Sequence, residues 1–306
     1  MLYGIIDMGS NSVRLSIFRA ENGVITQVIG KKVMAGLAGY VKKGRLTQAG
    51  IERACMALEA LREILDNFNV DGAGIFATAS LRNICNQDEV LNQMERVTGI
   101  TPEIITGKEE ARLDFIGATR FYPMEQGLLA DIGGGSTELV WFGKEGPKEL
   151  LSIPMGSLAL HTQFVSGLIP AEKEREKMRK AVREQLDAVD WPVEKGCTVC
   201  GIGGTMRMAL QLSQELLGRP KTDTGFTPDD LDRLLKIACS DDPDVSKPAY
   251  KLMPERMFSM VPGLLIVRGI ARKFNVKDFF VSRAGVREGY LITRFLETGR
   301  KSEESR

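Results

Sequence analysis

The chain has 306 residues, 43% hydrophobic and 26% charged, which suits roughly two domains of about 150 residues and excludes a mini-protein held by staples. Its 41 Lys+Arg against 40 Asp+Glu leave a net charge of +1, so global charge points to neither a nucleic-acid nor a membrane partner. Five cysteines, sparse and odd in number, argue against a disulfide framework and for a cytoplasmic setting.

The start of the chain carries no signal-peptide pattern, and no stretch approaches the roughly 20 apolar residues of a membrane span. His161 is the one histidine, which excludes multi-histidine zinc sites and leaves acid–base work to carboxylates.

Tyr3–Ile6, Val13–Phe18 and Val24–Ile29, separated by Asp7–Ser12 and a Glu21-Asn22-Gly23 turn, predict a β-meander. Thr47 is a plausible N-cap for a helix whose apolar stripe is Ile51, Ala54, Leu58, Leu61 and Leu65. Gly72–Ala77 predicts a strand, Asn86–Glu89 a capping box ahead of a helix, Ile104 a strand, and Lys108–Ala118 a helix. In the second half the pattern gives a strand near Leu150–Ile153 and a charged helix over Ala171–Val189. Its run Glu172–Arg179 is mixed in sign and reads as a solvated face. Cys197–Ile202 predicts a strand that enters Gly203-Gly204-Thr205, followed by helices over Met206–Leu217, from Thr227, over Pro262–Phe274 and over Val286–Leu296. Asp278–Ser282 is a further strand, and a polar tail after Thr298 is expected to fray.

An internal repeat organises these elements. YGIIDMGSNSVRLSIF from Tyr3 and GLLADIGGGSTELVWF from Gly127 pair Asp7 with Asp131, Gly9 with Gly133, Ser12 with Ser136 and Phe18 with Phe142, at one constant offset. Two copies of strand, acid, glycine turn and strand predict a duplicated α/β fold: one domain over residues 1–122, a second over 123–285, with a cleft between. The terminal helix from 286 to 306 is expected to pack back on the first domain.

Tight turns of small residues expose backbone N–H groups to anions. Gly9-Ser10-Asn11-Ser12, Gly133-Gly134-Gly135-Ser136 and Gly203-Gly204-Thr205 each follow an apolar strand and are candidate phosphate turns. None fits a P-loop or a dinucleotide fingerprint. Asp7 and Asp131 end strands beside such turns, and carboxylates near phosphate call for a hard divalent ion such as Mg²⁺. Glu138 follows the second turn. Glu109 and Glu110 open a helix; Glu109 suits the helix dipole, and Glu110 is the candidate base. Arg14, Arg82 and Lys108 could neutralise phosphate oxygens. Cys197 and Cys200 have C-x-x-C spacing inside an apolar strand, which reads as core, and His161 reads as a packed helix residue.

The segments DMGSNSVRL from Asp7, ATASLRNICN from Ala77, ITGKEEARL from Ile105, DIGGGSTEL from Asp131, IPMGSLAL from Ile153, GIGGTMRMA from Gly201 and SRAGVREGYL from Ser282 resemble, in order along nearly the whole chain, the exopolyphosphatase and guanosine pentaphosphate phosphohydrolase (Ppx/GppA) family. The resemblance implies a duplicated actin-like (ribonuclease H-like) fold, the architecture also used by sugar kinases, with the site in the interdomain cleft. It implies Mg²⁺-dependent release of terminal phosphate from inorganic polyphosphate or guanosine pentaphosphate, and a homodimer. Glu110 resembles the catalytic base, with Glu138 as a second catalytic carboxylate; Asp131, Asp7 and Glu138 would hold the metal. The first two turns resemble the phosphate-binding turns, and Arg82 the phosphate-contacting arginine. Asn83-Ile84 departs from the acidic residue and Ala frequent after that arginine, and the chain lacks the extra helical domains of longer members, which puts processivity on long chains in doubt. Gly201–Thr205 corresponds to the nucleotide-base side in actin-like ATPases. Rival readings are an actin-like kinase or ATPase, and a non-catalytic sensor of polyphosphate or guanosine tetraphosphate.

Overall fold

The computed structural model describes residues 1–297; the tail after Thr298 and the last residues of the expected terminal helix lie outside them. The chain divides into two compact units, Met1–Gly117 joined by the segment from Val286, and Ala118–Gly285. The change of unit falls inside a helix, ahead of the 122/123 boundary expected from the sequence.

The first unit begins with an antiparallel meander of β1 (Leu2–Met8), β2 (Ser12–Glu21) and β3 (Val24–Met34). Asn22 and Gly23 both take positive φ, 51° and 75°, the conformation a two-residue hairpin turn needs to match strand twist. A small hairpin of β4 (Val41–Lys42) and β5 (Arg45–Leu46) leads into α1 (Gln48–Asp66). As expected, Thr47 Oγ1 caps this helix, accepting from Gly50 N at 3.3 Å. Then come β6 (Gly72–Ala77), α2 (Ala79–Arg82), α3 (Gln87–Thr98), β7 (Glu103–Ile104) and α4 (Gly107–Phe121). Asn86 precedes α3 without the predicted side-chain cap. Its amide instead bridges to β5, accepting from Leu46 N at 3.0 Å and donating to Leu46 O at 3.1 Å. A buried strand end with unmet backbone groups costs more than a frayed helix start, so the tertiary contact wins the side chain.

The second unit repeats the plan with β8 (Gly127–Ile132), β9 (Thr137–Gly143) and β10 (Gly146–Ile153), then α5 (Ser157–Phe164) and α6 (Glu172–Asp187). It continues through β11 (Thr198–Ile202), α7 (Gly203–Leu216), β12 (Gly225–Phe226), α8 (Pro228–Ala238), α9 (Pro243–Leu252), α10 (Met260–Lys273) and β13 (Asp278–Val281). α11 (Val286–Leu291) returns the chain to the first unit. The sheet orders are β3-β2-β1-β6-β7 and β10-β9-β8-β11-β13, with β12 added at the edge of the second. In both, the first three strands are antiparallel and the next two are parallel additions. Two sheets with this order and these directions are a duplicated ribonuclease H-like, actin-like α/β fold.

Strand β1 buries both faces. Ile6 and Met8 pack with Leu58 of α1 and Met94 of α3, whereas Tyr3 and Ile5 pack with Leu113 of α4 and Tyr290 and Leu291 of α11. The period-two geometry of a strand therefore turns Asp7 to the same side as α4 and α11. There Gly289 lets α11 approach the α4 backbone: a Cβ on it would stand 1.9 Å from Leu113 O. Gly289→Ala should lower stability by about 1–3 kcal/mol through overpacking. In urea unfolding this appears as a lower midpoint at unchanged slope; an unchanged midpoint would contradict the close crossing.

Candidate active site

The repeat builds two similar turns. Gly9 N donates to Ser12 O at 3.1 Å, and Gly133 N donates to Ser136 O at 3.0 Å. In the second unit the turn's carbonyls are taken by the start of α5. Ser157 N donates to Gly133 O, and Leu158 N and Ala159 N donate to Gly134 O, all at 2.9 Å. These are helix N–H groups that have no partner within the helix. Because a trans peptide holds C=O and the following N–H in opposite directions, Gly134 and Gly135 turn their N–H groups away from α5. Gly156 permits the contact, since a Cβ there would lie 2.3 Å from Gly134 C. The first turn uses a 3₁₀ turn over Leu37–Tyr40 in the same way: Ala38 N donates to Ser10 O at 3.0 Å and Gly36 N to Asn11 O at 2.8 Å. Each turn thus offers backbone donors of the kind that hold anions.

Cross-strand register then separates the two copies chemically. Asp7 lies opposite Arg14, whereas Asp131 lies opposite Glu138. Directly opposed side chains share a sheet face with Cβ atoms about 4.5–5.5 Å apart. In the first unit the pair is neutral. Burial pushes the Asp7 carboxyl above the usual carboxylate range, opposed by the positive charges of Arg287 on α11 and of Arg14. Arg14 Nε also donates to Ser12 Oγ at 3.1 Å, which brings its guanidinium to the turn.

In the second unit two carboxylates face one another, and Glu138, 1% exposed, accepts from Ser152 Oγ at 2.6 Å. Opposed like charges destabilise a sheet unless a cation lies between or beside them. This donor set fits Mg²⁺, which takes one or two carboxylates and completes its shell with phosphate and water oxygens. Among the described residues no cluster of three or more His, Cys, Asp or Glu side chains is arranged for a metal. Asp7, expected from the sequence as a third ligand, instead faces arginines within its own unit.

The third expected turn is the first turn of α7. Gly203 has φ +82°, and a Cβ on it would lie 2.1 Å from Asp131 Oδ1; one on Gly204 would lie 1.9 Å from Arg256 Nη2. The two glycines therefore admit a carboxylate and a guanidinium against the helix N-terminus. Thr205 was expected to help hold phosphate, but its buried Oγ1 donates to Ile132 O at 2.8 Å. It ties α7 to β8 and has no hydroxyl hydrogen left for an anion.

Glu110 opens α4 and is 8% exposed. Arg82, at the end of α2, donates to Glu110 Oε2 at 2.7 Å and to Ile105 O at 3.3 Å. The arginine expected to contact phosphate is thus engaged with the candidate base, a position set by the short α2 and the β7–α4 connection. Asp114, fully buried, falls one turn further along the same face of α4. Glu109 pairs with Arg112 at 2.9 Å and Arg294 at 3.3 Å, which hold its carboxyl below the usual range. Lys108 is exposed. His161 packs edge-on against Phe258 with ring centroids 5.0 Å apart. Cys200 is buried in β11, Cys197 is half-buried ahead of it, and both are free thiols.

Arg256, Arg287 and Asp114 were not legible as site residues in the sequence. Arg287 lies within the SRAGVREGYL segment that carried the family resemblance, so a signal for it was present; Arg256 and Asp114 had none.

The duplicated fold defines a protein of the actin-like class; its first unit carries one glycine turn and a buried carboxylate at a helix start, its second the other turn with an acidic pair beside it. The Ppx/GppA phosphatase family profile matches residues 16–298, and the chain belongs to that family. It is similar to an exopolyphosphatase from Cytophaga hutchinsonii, with TM-score 0.85 and 25% identity over 96% of this chain and 97% of that one. It is also similar to the Aquifex aeolicus Ppx/GppA family member, with TM-score 0.78 and 25% identity over 97% and 98%.

Gly203→Ala tests the approach of Asp131. A side chain forced into positive φ costs about 1–3 kcal/mol, and displaced Asp131 should lower phosphatase kcat at least about tenfold, equivalent to about 1.4 kcal/mol. Full activity with unaltered stability would show that the glycine is not needed there.

Proposed function

We propose that the chain is a cytoplasmic Mg²⁺-dependent hydrolase that releases terminal phosphate from inorganic polyphosphate, with guanosine pentaphosphate as a second substrate of the same chemistry. The observation that carries this reading is Glu110, a buried carboxylate at a helix start, held at 2.7 Å by Arg82 in a chain of a phosphatase family.

Phosphoryl transfer to water needs positioning and charge stabilisation more than covalent chemistry. The backbone N–H groups of Gly134 and Gly135 in the second unit, and those of the Gly9–Ser12 turn in the first, are donors of the kind that hold phosphate oxygens. Arg14 adds positive charge at the first turn. Glu110 accepts a proton from the attacking water as its oxygen bonds to the terminal phosphorus; the bridging P–O bond breaks and its electrons leave with the shortened chain. Arg82 keeps the Glu110 carboxylate in one orientation. Asp131 and Glu138 would hold the metal, which when bound offsets phosphate charge. A sensor would need no such base, and the buried Arg82–Glu110 pair favours turnover over binding alone.

Glu110→Gln keeps the shape of the side chain and removes its basicity. With polyphosphate and Mg²⁺, kcat should fall about 10²–10⁴-fold, the range general-base catalysis supplies, while polyphosphate binding persists and the unfolding midpoint falls, because the largely buried Arg82 loses its counter-charge. Retained turnover would remove Glu110 from the role. Glu138→Gln should raise the Mg²⁺ concentration needed for half-maximal activity, and an unchanged Mg²⁺ dependence would move the metal elsewhere.

A further inference from the structure

The charged helix α6 does more than face solvent. With α8 and α10 it encloses a groove of about 730 Å³ in the second unit, and none of the lining residues belongs to the turns or carboxylates described above. α10 packs against both other helices. Gly269 brings α6 down onto it, a Cβ there being 2.4 Å from Val182 Cγ1. Lining positions on α6 recur from Glu172 to Arg183 along one face, a path of about 16 Å at 1.5 Å per residue.

The groove is strongly basic. Its lining holds eight Lys and Arg side chains against four Asp and Glu, a local excess of four in a chain whose total is +1. Two of the four acids steady cations: Glu172 pairs with Arg175 and Arg179, and Asp232 takes Arg268 in a bidentate pair at 2.5 and 2.6 Å. Arg183 of α6, Lys236 of α8 and Arg272 of α10 are exposed and, among the described residues, have no carboxylate partner. One cation from each helix converges on the groove, an arrangement whose self-repulsion an anionic occupant would relieve.

The lining also discriminates between polyanions. An acidic amphipathic helix would need a broad apolar floor to bury its own apolar face, but Val182, Leu186 and Leu265 are only 2%, 1% and 4% exposed, which leaves half-buried Leu235 and Cys239 as the accessible apolar lining. Single-stranded nucleic acid is gripped through aromatic platforms as well as phosphates, and no aromatic side chain lines the groove among the described residues. What the groove offers is charge along a line.

We infer that the α6–α8–α10 groove is a second binding site for a linear phosphate polymer, a tether for long polyphosphate separate from the turns that hold its reacting end. This rests on the polyphosphate reading above. It implies that long chains are retained through helices of the second unit.

The test uses the full chain. In the Glu110→Gln background, where the polymer is not consumed, the Arg183→Glu/Lys236→Glu/Arg272→Glu variant should bind long-chain polyphosphate at least about tenfold more weakly. Its log Kd against log salt slope should drop by about 2, since three phosphate contacts each contribute roughly 0.7. With Glu110 intact, the same triple change should raise KM for long chains and leave kcat and KM for tripolyphosphate as they were. A control with Lys31, Lys42 and Arg96 changed to Glu makes the same change in net charge elsewhere and should bind as the parent does. Equal losses in both triple variants, or no loss in the groove variant, would overturn the tether; so would polyglutamate or single-stranded DNA competing as well as polyphosphate. If the enzyme releases no phosphate from any chain, the hydrolase reading fails, and the binding arm still decides the groove.

Discussion

The cross-strand register at the two strand–turn–strand repeats is the constraint on which the chemistry depends. Because side chains directly opposite across an antiparallel pair share a face, the position seven residues after each strand-end aspartate decides its electrostatic partner. One copy supplies Arg14 and the other Glu138. The same backbone thereby sets an acid opposite a base in one unit and an acid opposite an acid in the other. A slip of one residue in either ladder would move these groups to the opposite face and dissolve both arrangements.

Around that register, the remaining contacts orient backbone groups. Carbonyls of both turns are satisfied from outside, by α5 in the second unit and by the 3₁₀ turn over Leu37–Tyr40 in the first. This direction of hydrogen bonding leaves N–H groups to serve an anion. Glycines at 156 and 203 are needed because backbone or carboxylate occupies the space of a side chain. The cores beneath hold the turns in place: apolar residues on both faces of β1 are anchored by helices, so Asp7 emerges at a sheet end with little freedom. Under the proposed hydrolysis, such a scaffold would supply the preorganisation that phosphoryl transfer uses in place of covalent intermediates.

Several residues show where local pattern stops being informative. Asn86 has the identity of a helix cap, yet its amide is spent on the backbone of Leu46. Thr205 has the hydroxyl of a phosphate turn, yet donates to Ile132. Arg82 reads as a phosphate ligand and is instead bonded to Glu110 across a separation of 28 residues. In each case a short polar side chain or a guanidinium had more than one suitable partner, and burial chose the one whose loss would cost most. The Glu172–Arg179 run is largely the solvated face its charges predict, but sequence carries no information about the α8 and α10 side chains that line the same groove.

The amino-acid sequence by itself determined the duplication, most of the strand and helix order and the two repeat turns, because periodicity, glycine placement and repeat spacing are local properties written in consecutive residues. A duplicated α/β class was legible for the same reason, and its actin-like type through the family resemblance. Tertiary structure alone decided which charges meet. The opposition of Asp131 to Glu138, the approach of Arg287 to Asp7 and of Arg256 to Gly204, the pairing of Arg82 with Glu110 and the basic groove each join residues remote in sequence. An ion pair or a desolvated carboxylate is defined by distance and exclusion of water, and neither exists until the core has closed around it.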